Sequence, residues 1–156
     1  MRLPDGSAGI GGRVSWSLSL DFSFSEAVSV AEVLRGCAER GFSFSREGRI
    51  AFVLDDGELF DWQDADEGSL RELMDAADRA APEGTVFAIT VFLDESGVGG
   101  ELLFHRGRRD VSFLATVHRR RFSGGSEFSD VGWYVERLVP VMEPLGLSEV
   151  EVSDSR

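Results

Sequence analysis

Seven carboxylates fall within thirteen residues, at Asp55, Asp56, Glu58, Asp61, Asp64, Asp66 and Glu67, with Phe60 and Trp62 set among them. Such a run could supply the several carboxylate oxygens that a hard divalent cation takes, but the spacing fails the EF-hand pattern. Counted from Asp64, the glycine Gly68 comes fifth instead of sixth. Paired carboxylates can also act as general acid and base, which requires a cleft that shifts one pKa, and the run itself supplies no such cleft. A third use is a protein-binding surface, where a negative field steers a basic partner and the aromatics anchor it. The plain alternative is a solvated loop that also brings acids to a helix N-terminus, where the dipole favours them.

The cations are concentrated elsewhere. Residues 50–101 carry a net −12 and residues 102–122 a net +5, in a chain whose total is −12. The stretch 106–121, "RGRRDVSFLATVHRRR", holds Arg106, Arg108 and Arg109 at one end and Arg119, Arg120 and Arg121 at the other. If the residues between form one strand of a hairpin, the two groups stand roughly 25 Å apart at about 3.3 Å per residue. His105 and His118 are separated in the same way, so the hairpin cannot make them a metal pair or a relay. At least one arginine cluster is expected to pair with the acidic run within the molecule.

Motifs for a defined reaction are absent. There is no GxGxxG between a strand and a helix, no P-loop in a chain without lysine, and no GxSxG or HExxH. The single Cys37 falls near a helical apolar stripe and reads as a small buried hydrophobe, not a nucleophile. No cofactor and no metal site is expected. A pI near 4.5 disfavours general nucleic-acid or anionic-membrane binding. All 16 cationic side chains are arginine, as a GC-rich bacterial genome would produce. One cysteine fits a reducing cytoplasm, and neither an export signal nor a stretch of about 20 apolar residues is present.

The elements that must position these groups follow from hydrophobic period. "VSWSLSLDFSF" (14–24) alternates strictly and predicts a strand with one face in the core. Residues 25–41 show helical spacing, with Ser25 as the expected N-cap and Gly41 as the stop. "FSFSREGRIAFVL" (42–54) reads as a hairpin turning at "REGR". "SLRE" at 69–72 reads as a capping box opening a second helix that ends before Pro82. "TVFAITVFL" (85–93) is apolar on both faces and belongs near the middle of a sheet. Two further strands complete a meander, a third helix starts near Asp130 with Pro140 expected to kink or divide it, and "LSEVEV" closes the chain.

The expected fold is α+β: residues 1–12 a loose arm, and 13–156 one domain with a mostly antiparallel twisted sheet and three helices largely on one face. The order is β-α-β-β-α-β-β-β-α-β. The leading functional expectation is a small acidic cytoplasmic domain that binds another protein with a basic surface, as an immunity protein or inhibitor binds its toxin or a chaperone its client. One alternative is a small-molecule pocket or enzyme site between sheet and helices, drawing on His118, Arg120, Trp133 and Tyr134. Another is a self-associating structural subunit.

Overall fold

The computed structural model describes residues 16–55 and 61–156. The expected N-terminal arm, Val14, Asp56, Glu58 and Phe60 lie outside the described residues. Seven antiparallel strands form one sheet: β1 (Ser17–Phe24), β2 (Arg49–Asp55), β3 (Gln63–Asp66), β4 (Val86–Phe92), β5 (Gly99–Phe104), β6 (Asp110–Val117) and β7 (Leu147–Ser155). Their spatial order is β3-β2-β4-β5-β6-β1-β7. Helices α1 (Val30–Glu39), α2 (Leu70–Ala80) and α3 (Val131–Met142) pack on one face, making a single α+β domain.

Strict alternation in β1 buries Leu18, Leu20, Phe22 and Phe24 against those helices. Residues directly opposite in antiparallel strands share a face, so Leu20, Phe113, Leu102, Ile89 and Phe52 continue one row across the sheet. β4 is third in the order and is buried on both sides. Phe87, Ile89 and Val91 face the helices, while Ala88 joins Val53 and Leu103 in a small buried cluster on the other face. No helix among the described residues is long and apolar enough to cross a membrane.

Several local expectations change. Residues 42–45 do not pair as a strand with 50–54: they make a single bridge, Ser43 to Phe92, while Phe42 and Phe44 are buried in the core. The turn at Glu47 and Gly48, both with positive φ, joins Arg46 to Arg49 by one further bridge. The strand missing there is supplied by β3, out of the acidic run, so the element order survives with different residues. Helix α1 is capped by Ser29, whose hydroxyl accepts from Glu32 N at 3.0 Å while Glu32 answers the Ser29 amide. Ser25 is not the cap because α1 begins only at Val30, and the Ser25 amide donates to Gly146 O just past β1.

The "SLRE" box does not form. Ser69 has ψ near 0°, its side chain makes no capping bond, and a turn of 3₁₀-helix beginning after Asp66 leads into α2. Pro140 does not divide α3, which continues through it to Met142. Only two residues follow the proline in α3, so the hydrogen bond it cannot donate falls in the last turn.

Two close approaches fix the β4–β5–β6 meander. A Cβ on Gly100 would stand 1.8 Å from Leu114 O, and one on Gly99 would stand 2.1 Å from Val91 O, both backbone atoms that cannot move aside. These glycines sit at the register shift between Gly99 and Glu101. Gly100→Ala is therefore expected to lower stability by about 2 kcal/mol or more, as overpacking does. The urea midpoint checks it, and an unchanged midpoint would show that the strands part easily.

Candidate functional site

The described part of the acidic run lies at the end of the sheet. Arg49–Asp66 and Ala51–Asp64 are direct partners, so β3 places Asp64 and Asp66 on the face away from the helices. Gln63 and Ala65 take the other face, opposite Phe52 and Ile50. Asp61 and Trp62 precede the strand, both exposed, Trp62 to 38%. Asp55 ends β2 in half-buried surroundings.

Most of the described carboxylates have local partners. Asp64 accepts from the Arg49 guanidinium, whose pKa that hydrogen bond and charge raise further. Asp66 accepts from Gly68 N at 2.9 Å, and Glu67 from the Ser45 hydroxyl at 3.0 Å. Among the described residues no three His, Cys, Asp or Glu side chains converge as a metal site. Beside the strand lies a cavity of about 400 Å³ lined by Phe44, Arg46, Glu47, Arg49, Ala51, Asp64, Thr90 and Phe92, with the Arg46 guanidinium 4.4 Å from the Phe92 ring centroid.

Among the described residues, Arg108, Arg109 and Arg119–Arg121 find partners outside the acidic run. Arg108 is 2% exposed and donates to Thr85 O, His105 O, Ala77 O and Thr85 Oγ1. At the far end of β6, Arg119 and Arg121 share Glu127, at 3.9 and 3.4 Å, and Arg120 pairs with Asp130 at 3.1 Å. Sequence distance explains the difference: residues 123–130 fold straight back over 119–121, while β3 lies at the opposite end of the sheet.

Of the four residues considered for a pocket, three come together. Arg120 N donates to the Tyr134 hydroxyl at 2.8 Å, and the Arg120 guanidinium lies 5.1 Å from the Trp133 ring centroid. Tyr134 is fully buried against Phe113, and Arg137 covers Trp133 at 3.9 Å. His118, held at positive φ, instead lies beside Gly97. None of the four lines the 400 Å³ cavity or the two larger ones on the helix side.

One polar chain had no clear mark in the sequence. The Ser112 hydroxyl donates to Asp21, and His105 Nε2 lies 2.8 Å from the same oxygen. Burial lowers the His105 pKa, against the opposing charges of Asp110 and Asp21. The serine is the middle member, bonded to a carboxylate and an imidazole at once, so the imidazole is not arranged to take its proton. Asp21 sits on the polar side of the β1 alternation, which was visible. Its meeting with Ser112 depends on β1–β6 pairing across 91 positions.

Comparison of the chain with protein-family models, with curated proteins and with solved structures found no match.

Cys37 is buried, and desolvation pushes its pKa up to about 12 from 9.0. The folded thiol thus keeps its proton between pH 9 and 12 while the unfolded one loses it, so stability falls as pH rises through that window. Across it the wild type is expected to lose up to about 1.4 kcal/mol per pH unit more than Cys37→Ala. Parallel urea titrations at pH 8 to 11 check this, and equal slopes would show that the thiol ionises freely in the fold.

Proposed function

We propose that this chain is a protein-binding domain that presents its acidic sheet edge to a basic partner. The observation that carries the reading is that β3 is an edge strand whose neighbouring Asp61 and Trp62 are exposed. An edge strand has one side of its backbone free of sheet partners, so an extended segment can add to it by main-chain hydrogen bonds. Asp61, Asp64, Asp66 and Glu67 give that edge a negative field, and Trp62 supplies an amphipathic anchor of the kind enriched at binding hot spots.

The partner implied is a cationic surface or strand. Binding of this kind neutralises or chaperones the partner by occupying its positive site, as an immunity protein does to a toxin. Electrostatic steering makes the association rate fall with salt, while Trp62 burial governs dissociation. A pocket reading has less support, because Arg120, Trp133 and Tyr134 are packed on one another.

With the full chain immobilised at low ionic strength and a lysate of the source cells applied, proteins of basic pI are expected to be retained and released by high salt. Trp62→Ala combined with Asp61→Asn should reduce that retention about tenfold or more. Retention unchanged in the double variant, or no basic protein retained, contradicts the proposal.

A further inference from the structure

At the other end of the sheet, residues 120–122 and 128–130 form a short antiparallel ribbon outside the seven strands. Phe122 N donates to Phe128 O at 2.7 Å, Asp130 N to Arg120 O at 2.9 Å, and Arg121 bridges Ser129. The tip turns through Gly124 and Gly125, both at positive φ. Side chains tie the ribbon further: Arg119 donates to Glu127 O and Ser129 Oγ, at 2.9 and 2.8 Å, and Arg121 to Ser126 O at 3.0 Å. Asp154 of β7 anchors it, accepting from Ser129 N and from Trp16 Nε1, each at 2.8 Å.

This framework holds two phenylalanines in water. Phe122 is 59% exposed and Phe128 58%, and as cross-ribbon neighbours they share one face. Phe128 meets Trp16 edge-on at 4.8 Å between centroids, which extends the apolar surface toward β1. Burying an aromatic side chain is worth about 1.5–3 kcal/mol, so a bonded ribbon that exposes two of them is suited to association.

Four arginines, Arg119, Arg120, Arg121 and Arg156, stand around the ribbon against three carboxylates, Glu127, Asp130 and Asp154, a small positive excess in a chain of net −12. One carboxylate, Glu127, serves both Arg119 and Arg121, and the guanidinium of Arg156 lies 5.8 Å from the Trp16 ring centroid. Arg120 and Arg121 keep about half their side-chain surface exposed. We propose that this ribbon is a second binding surface, distinct from the β3 edge, that takes an acidic segment carrying aromatic or aliphatic side chains from another protein.

A nucleic-acid strand fits less well. The arginines spend part of their donor set on ribbon carbonyls and on Asp130, and the overall charge repels a long polyanion. A short acidic segment brings few charges and buries both rings.

Fluorescence anisotropy with a labelled eight-residue Glu–Tyr copolymer and a labelled oligo-dT of the same net charge tests the proposal on the full chain. The copolymer is expected to bind and oligo-dT not to. Phe122→Ser with Phe128→Ser should weaken copolymer binding about tenfold or more, with Phe122→Ser alone giving a smaller loss and an unchanged melting temperature. Trp62→Ala should leave copolymer binding unchanged, which separates this surface from the β3 edge. Copolymer that does not bind, that binds the double phenylalanine variant equally, that depends on Trp62, or that binds more weakly than oligo-dT overturns the proposal.

Discussion

A buried guanidinium joins the two layers of this domain. Arg108 occupies the β5–β6 turn at φ 57° and sends its donors into carbonyls of Ala77, Thr85 and His105. Ala77 lies in the last turn of α2, so the cation meets the negative end of that helix dipole. Among the described residues no carboxylate stands within ion-pair distance of it. Desolvation lowers its pKa, and the charge of Asp78 opposes that shift. The same turn holds α1 and β1: Arg108 O accepts from Val28 N, Arg109 O accepts from Phe24 N, and the Arg109 side chain donates to Ser25 O. One residue beyond Ala77, Asp78 accepts from Val30 N and Ala31 N and so caps α1 from outside the helix. The helices are thus fixed to one face, leaving the sheet ends free for other uses.

Those ends are built alike and charged differently. Both edge strands carry acids, Asp64 and Asp66 on β3, and Glu149, Glu151 and Asp154 on β7, which discourages edge-to-edge aggregation between copies. Among the described residues near β3, the large apolar side chain with high exposure is Trp62, in a negative setting. Near β7 the ribbon supplies arginines and two phenylalanines. On the proposed reading the two ends of the sheet would take two different protein segments, one at the acidic β3 edge and one at the aromatic ribbon.

How far the sequence carried these conclusions depended on whether a feature is local. The β1 alternation gave a strand with the correct buried face, and the apolar run of β4 gave a central position. Phe42 and Phe44 alternate just as well but fill the core without a strand, because alternation reports a two-sided surface and not the pairing of its backbone. Ser25 and Ser29 both precede glutamates or apolar stripes. Ser29 takes the role through its reciprocal bonds with Glu32, while Ser25 is held just past β1 by Gly146 O. The acidic run reads as loop because aspartate is a poor strand former, yet pairing with Arg49 and Ala51 makes Gln63–Asp66 a strand. Arg108 looks no different from Arg106 or Arg109 in sequence, and its burial follows from a left-handed turn under α2. For the same reason the pairing of Arg119–Arg121 with residues 126–130 was not visible in composition.

The central claim is that Arg108 couples the sheet turn to the helix layer through Thr85 and Ala77. A double-mutant cycle on Arg108→Met and Thr85→Val, read by urea unfolding, tests it most directly. The account predicts a coupling of about 1 kcal/mol or more, since each partner is buried and hydrogen-bonded to the other. Additive losses, within about 0.3 kcal/mol, would contradict it.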